Sequence, residues 1–248
     1  MDLDRITHPL RLARGSHQAG SGRGCAMNAI SYITGDVEIT DYPECCARPL
    51  ATIVQWCNDR LAGPDGYLSP EDSVVALDLG WQTVRTADVG TNVVHGWVAQ
   101  LLTGPAWGVV WNANHAAAKA IRDIADLHRR AAAGDMPPVS AWYAADCAGQ
   151  ETVRALSRTS ERSARCAVRA AYQSIALAGA SSPAKMDAVT GNALRSHELA
   201  PGGLSTARAV ELTRHAIASW RMLAGLEICG ETSPVLTDSD VSPADVFP

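Results

Sequence analysis

Residues 139–178 read VSAWYAADCAGQETVRALSRTSERSARCAVRAAYQSIALA, with no proline and a single glycine, Gly149. Alanine enters a helix without losing side-chain entropy, and the arginines and glutamates between the alanines lose little. The stretch is therefore predicted to be one helix of ten or more turns, which makes an all-α fold the leading expectation. Composition agrees. The chain has one Phe (Phe247) against seven Trp, and its β-branched runs are short. Ala-rich helices can approach closely, and tryptophans fill the gaps that remain.

Working outward, Gly134-Asp135-Met136-Pro137-Pro138 is the clearest boundary in the chain. Before it, Trp107 to Ala133 reads as a helix. So do Cys25–Thr34, closed by Gly35; Ala47–Leu61; a segment opened by Ser69-Pro70-Glu71-Asp72; and Thr91–Leu102. Asp2 to Arg14 also has apolar residues at helical spacing. Beyond the long stretch, Ser182-Pro183 opens a helix towards Leu199, and Leu204 to Ile228 forms the last. Three parts are expected: an irregular helical module over 1–134, a bundle of long Ala-rich helices over 138–229, and a disordered acidic tail over 230–248.

Charge and composition exclude several classes. The net charge is −5, and Glu227, Glu231, Asp238, Asp240 and Asp245 account for all of it, because no Lys or Arg follows Arg221. The neutral body is not that of a generic nucleic-acid binder. No run of 18 uncharged apolar residues reads as a membrane span, and MDLDRITHPL lacks the pattern of a signal peptide. Seven cysteines without an export signal point to reduced thiols in a cytoplasm. No glycine-rich phosphate loop and no H-E-x-x-H or G-x-S-x-G pattern is present.

Three sets of residues carry candidate chemistry. Arg154, Arg158, Arg162, Arg165 and Arg169 step by four, four, three and four along the long stretch. On one continuous helix they would share an arc of about 80°. A row of planar, five-donor cations suits phosphates or an acidic partner; the bland alternative is a solvated face, or pairing with the acidic tail. His17, Cys25, Asp41 and Cys45 could furnish a zinc site, although no C-x-x-C spacing supports it and buried thiols are usually packing residues. Cys25 at a helix N-terminus, with His17 as its base, is a candidate nucleophile, since unpaired N–H groups favour a thiolate. Trp97, Trp107 and Trp111 near Pro105 either line a pocket or simply fill the core.

The region around Arg14–Asp59 resembles a family of uncharacterised proteins of actinobacteria and of the phages that infect them. The residues that carry the resemblance are Gly15-Ser16-His17, Cys25, Gly35, Asp41, Pro43, Cys45 and Asn58-Asp59. Gly96-Trp97-Val98 and Gly104-Pro105-Ala106-Trp107 follow, so that it spans roughly residues 12–115. Asn28 stands where the family often has Glu, and Tyr42 where it commonly has His, which removes two ionisable groups. The resemblance implies a lineage and no activity. On this reading the protein is a cytoplasmic phage or actinobacterial accessory protein that acts by binding a macromolecule or anionic ligand. The alternatives are a nucleic-acid or phosphate binder using the arginine stripe, and a metal- or Cys/His-dependent hydrolase.

Overall fold

The computed structural model describes residues 12–17, 22–179 and 183–226. Among them the fold is all-α. Nine helices follow one another: α1 (Ala26–Thr34), α2 (Arg48–Leu61), α3 (Pro70–Gln82), α4 (Thr91–Thr103), α5 (His115–Ala132), α6 (Val139–Ala155), α7 (Arg162–Ser174), α8 (Pro183–Glu198) and α9 (Thr206–Leu223). Short 3₁₀ turns at Val109–Asn112 and Ile175–Ala178 join them. No helix among the described residues is long and apolar enough to cross a membrane.

Local chemistry sets most of the helix ends. Ser69 Oγ accepts from the Asp72 amide at 3.0 Å, Asn114 Oδ1 from Ala117 at 3.0 Å, and Ser205 Oγ from Arg208 at 3.2 Å. Each satisfies a first-turn N–H that has no partner inside its helix. Gly35 ends α1 in the left-handed region at φ 87°, a conformation open to glycine because it has no Cβ.

Three expectations about helix extent are corrected. The predicted helix over Trp107–Ala133 begins only at His115, because Asn114 turns its side chain back to cap α5. The predicted N-terminal helix lies mostly outside the described residues. Its last positions, Leu12 and Ala13, are extended and form isolated bridges to Gly24 and Tyr67. The third correction is the largest: residues 139–178 are two helices and a 3₁₀ turn. Leu156 leaves α6 in extended conformation, and a Ser/Thr-rich turn follows. Ser157 Oγ accepts from the amides of Thr159 (3.3 Å) and Ser160 (3.4 Å), while Glu161 Oε2 accepts from the Ser157 amide at 2.8 Å. These side chains supply the bonds a helix would otherwise make.

α6 and α7 then pack against one another, with Gly149 as the point of closest approach. A Cβ there would stand 2.7 Å from the Cβ of Tyr172. The Gly134–Pro138 boundary is a turn within one continuous core rather than a gap between cores. α2 packs on α8 and α9, α4 on α5 and α9, and α5 on α6 and α7. Trp97, Trp107 and Trp220 fill the centre. Trp97 donates to the Ala216 carbonyl at 2.9 Å, and its ring lies 5.7 Å from that of Trp107 and 5.4 Å from that of Trp220. Trp111 instead faces solvent. The 230–248 tail lies outside the described residues.

Candidate anion-binding site

The break at Leu156–Glu161 regroups the arginines. Arg154 stays on the last turn of α6, where it donates to Gln150 Oε1 at 3.3 Å, and it belongs to no common face with the others. Arg158 comes from the turn. Arg162, Arg165 and Arg169 project from one face of α7, which Cys166 shares. Opposite them α8 contributes Asn192 and Arg195, and Leu199 follows its end. Together these residues line a groove of about 570 Å³.

Five guanidiniums therefore border one concavity, and no carboxylate among the described residues lines it. The nearby acids are engaged elsewhere. Glu161 accepts from Asn114 Nδ2 at 2.7 Å and from the Ser157 amide. Glu198 accepts from Trp56 Nε1 at 2.7 Å and pairs with Arg60 at 3.3 Å. Asp187 holds Arg48 through a forked pair at 3.0 and 3.1 Å. Several arginines elsewhere on the surface find carboxylates, as Arg130 does with Asp135 at 2.7 Å and Arg208 with Glu211 at 3.0 Å. Among the described residues, the side chains of Arg158, Arg162, Arg169 and Arg195 make no ion pair or hydrogen bond.

Arg165 has a different role. Its Nη1 donates to the carbonyls of Val153 at 2.6 Å and Leu156 at 2.8 Å, closing the C-terminus of α6. Those carbonyls have no helical partner, so a cation at the negative end of the helix dipole is well placed. It fixes α6 to α7 and leaves the other four cations free. Cys166 forms part of the groove wall and is buried. Burial pushes its thiol up, while Arg195, Arg169, Arg162 and Arg165 pull the other way, so four positive charges surround this sulfur. α7 has no acidic residue in its first turn, and its N-cap is Glu161. Its positive dipole end and the arginines add to the same field, which the Glu161 carboxylate partly offsets. The opposite side of α7 is built of small residues and packs closely. Ser163, Ala167 and Ala170 are buried, and Ser163 Oγ donates to the Ser196 carbonyl at 2.6 Å.

The opening region forms a different structure from the one its cysteines suggest. Cys25 caps α1 as expected, with its amide donating to Asn28 Oδ1 at 3.0 Å. Its thiol, however, is buried and donates to Asp41 Oδ1 at 3.4 Å. Burial first, and then the Asp41 carboxylate, push it up to about 12, outweighing the backbone donors that favour a thiolate. Cys25 is thus held as a protonated donor, against the expectation of an activated nucleophile. Asn28 Nδ2 joins it on Asp41 at 3.0 Å. Cys45 faces Cys46 at 3.6 Å. His17 is half-buried, and its Nε2 has no hydrogen-bond partner among the described residues. The structure brings Cys25 and Asp41 together but does not gather His17 and Cys45 with them. Among the described residues, no group of three or more His, Cys, Asp or Glu side chains is placed to hold a metal ion.

The Asn58-Asp59 pair ties the glycine loop down. Asn58 Oδ1 accepts from the Ala26 amide at 3.1 Å, Asn58 Nδ2 donates to the Ala13 carbonyl at 3.0 Å, and Asp59 Oδ1 accepts from the Gly15 amide at 2.9 Å. Asn58 and Asp59 are, in this region, fastenings.

Sequence reasoning missed two features. Arg195 and Asn192 lie well beyond the α7 arginines in the chain, and only the docking of α8 on α7 reveals them. The second is a buried polar chain, His95–His128–Ser174, packed beneath Trp142. Ser174 Oγ donates to the Ala171 carbonyl at 2.6 Å, so it accepts from His128 Nε2 at 2.8 Å. His128 Nδ1 is then bare and accepts the proton of His95 Nδ1, also at 2.8 Å. Both rings are neutral, and burial pushes both down, His128 to about 3.

Compared with protein-family models, curated proteins and solved structures, the chain finds no match in any of the three.

Proposed function

We propose that this protein acts by binding an anionic ligand in the groove between α7 and α8. The observation that supports the reading is the convergence of Arg158, Arg162, Arg165, Arg169 and Arg195 on one concavity with no carboxylate among its described lining. Like charges brought together repel, and an anion placed between them relieves that repulsion. Guanidiniums offer paired N–H donors in a fixed plane, the geometry that carboxylate and phosphate oxygens match. A binding role also fits the buried, protonated state of Cys25, the residue a hydrolase reading would make its nucleophile.

The test is thermal unfolding in sodium sulfate against sodium chloride at matched ionic strength. Sulfate is excluded from protein surfaces and stabilises folds in general, so the comparison needs a variant as well. Arg162→Gln/Arg169→Gln should lose the part of the sulfate effect that comes from the groove. Equal sulfate effects in wild type and variant would refute the proposal.

A further inference from the structure

We infer that the groove takes a compact oligophosphate and recognises its phosphates alone, rather than a nucleobase or a nucleic-acid strand. This inference rests on the anion-binding reading above. Three observations lead to it.

The first is charge density. Five guanidiniums border a volume of about 570 Å³, a size suited to one small molecule. Neutralising them calls for a ligand with several negative charges in that space. In a nucleic-acid strand each phosphate carries one charge and is separated from the next by a sugar, so only a short piece would enter. A tri- or tetraphosphate, or a small ring bearing several phosphates, fits the density.

The second is the lining itself. No Trp, Tyr, Phe or His among the described residues borders the groove. Proteins that hold single strands or free bases stack them chiefly on aromatic faces, with guanidinium planes as a secondary surface. Here the uncharged lining is Cys166, Asn192 and Leu199. Asn192 Nδ2 is already committed to Gln173 Oε1 at 2.8 Å and to the Ala188 carbonyl at 2.9 Å. The groove thus presents donors for phosphate oxygens and no aromatic shelf for a base among its described lining.

The third is rigidity. Arg162 and Arg169 stand on one face of a helix with a largely buried opposite side, and Arg195 stands on the helix packed against it. Arg165 anchors the α6–α7 turn through two backbone carbonyls. The helix positions that carry the cations are fixed before the ligand arrives, while the exposed arginine side chains order on binding. Such a site selects among phosphate arrays by charge and by the spacing its two helices set.

The experiment is isothermal titration at about 0.15 M salt, the ionic strength at which exposed charges are screened beyond roughly 8 Å. Four probes are compared: inorganic phosphate, tripolyphosphate, ATP and a 20-base-pair DNA duplex. Tripolyphosphate is expected to bind one to one and at least 100-fold more tightly than inorganic phosphate. ATP should match tripolyphosphate within about threefold, because the base adds nothing. Each guanidinium removed takes a charge-assisted pair with it and costs roughly tenfold in affinity. Arg162→Gln/Arg169→Gln should therefore weaken tripolyphosphate by 30-fold or more. Arg195→Gln, on the other helix, serves as a second variant should the first fail to fold.

ATP binding 30-fold more tightly than tripolyphosphate would overturn the inference in favour of base recognition. Duplex DNA that binds while tripolyphosphate does not would also overturn it. In both cases dependence on the arginines would leave the anion-binding groove standing. If no probe binds in an arginine-dependent way, the groove reading fails as well.

Discussion

Acidification should unfold this protein through His128, and the expected size follows from its surroundings. The ring is wholly buried on α5. It faces His95 of α4 at 2.8 Å, Ser174 of α7 at 2.8 Å, and the ring of Trp142 of α6 at a centroid distance of 5.0 Å. None of these partners is an acid that could stabilise an imidazolium, and a second proton between the two Nδ1 atoms would set two N–H groups against each other. Burial, and then the neighbouring His95, push His128 from 6.5 down to about 3. A histidine with a lowered folded-state pKa is neutral in the native protein but protonated in the unfolded chain below pH 6.5. The unfolded state then binds more protons, so stability is full above pH 6.5 and falls as pH drops towards 3. At pH 5 the loss from this one residue is about 2 kcal/mol, rising by about 1.4 kcal/mol for each further pH unit. His197, pushed down to about 4 mainly by burial, adds a parallel loss. His128→Leu isolates the contribution. It lowers stability near neutral pH by removing the partner of His95 Nδ1 and one of the two bonds of Ser174 Oγ, but it should flatten the slope between pH 6 and 4 by about 1.4 kcal/mol per unit. Urea denaturation at half-unit steps of pH measures both slopes. Parallel curves for wild type and variant, or an NMR titration of His128 near pH 6.5, would refute the reasoning.

Four further outcomes follow from the packing. Gly149→Ala should destabilise by about 1–2 kcal/mol: alanine gains about 1 kcal/mol in helix propensity, but separating two helices to admit a Cβ costs more. A rise in melting temperature would show that α6 and α7 can part freely. Arg165→Ala should cost about 1–2 kcal/mol by stripping two carbonyls of their donor, whereas Arg162→Gln should leave stability unchanged or slightly raised, because it removes a cation from a helix N-terminus. Chemical denaturation of the two variants side by side checks the contrast, and equal losses would contradict it. Asn58→Ala should cost about 2–4 kcal/mol, since the Ala26 amide and the Ala13 carbonyl both lose a buried partner; a loss below about 1 kcal/mol in urea unfolding would mean that this fastening is dispensable. Cys25 should react sluggishly with iodoacetamide at pH 7, where a thiol at about 12 is ionised in only about one molecule in 10⁵. Rapid labelling of Cys25, located by peptide mass, would restore the nucleophile reading.

The fold class was legible because helix propensity is local. Alanine content, the Ser69 cap and the terminal Gly35 all act within a turn of their own positions. Where the sequence misled, the competing effect was also local but weaker in appearance. Ser157, Thr159 and Ser160 are tolerated in helices, and only their joint bonding with Glu161 makes the break. The site was half legible for a different reason. The α7 arginines share a face by helical phase alone, but Arg195 joins them through tertiary docking, which no spacing in the chain encodes. The thiol chemistry of Cys25 was less legible, because a helix N-terminus can be read from sequence while burial cannot. Here burial decides.

The break and the groove are one feature. Had residues 139–178 formed a single straight helix, its five arginines would have made a ridge some 22 Å long at about 1.5 Å per residue, open to water on every side. The charges at the two ends of such a ridge lie further apart than a Debye length and do not act together on one small ligand. Folding the helix back at Leu156 removes Arg154 from the row and uses Arg165 to close the turn. α8 then lies against the remaining row and supplies Arg195. The result is a concavity in which the charges act together on one ligand. Replacing Ser157, Thr159 and Ser160 with alanine, to repair the helix, pits helix propensity against this packing. The packed α6–α7 contact at Gly149 and the Arg165 bonds should hold the turn, so helix content by circular dichroism should change little. A variant that lengthens into one helix and keeps its affinity for phosphate would separate the groove from the break and show that the turn is not what gathers the charges.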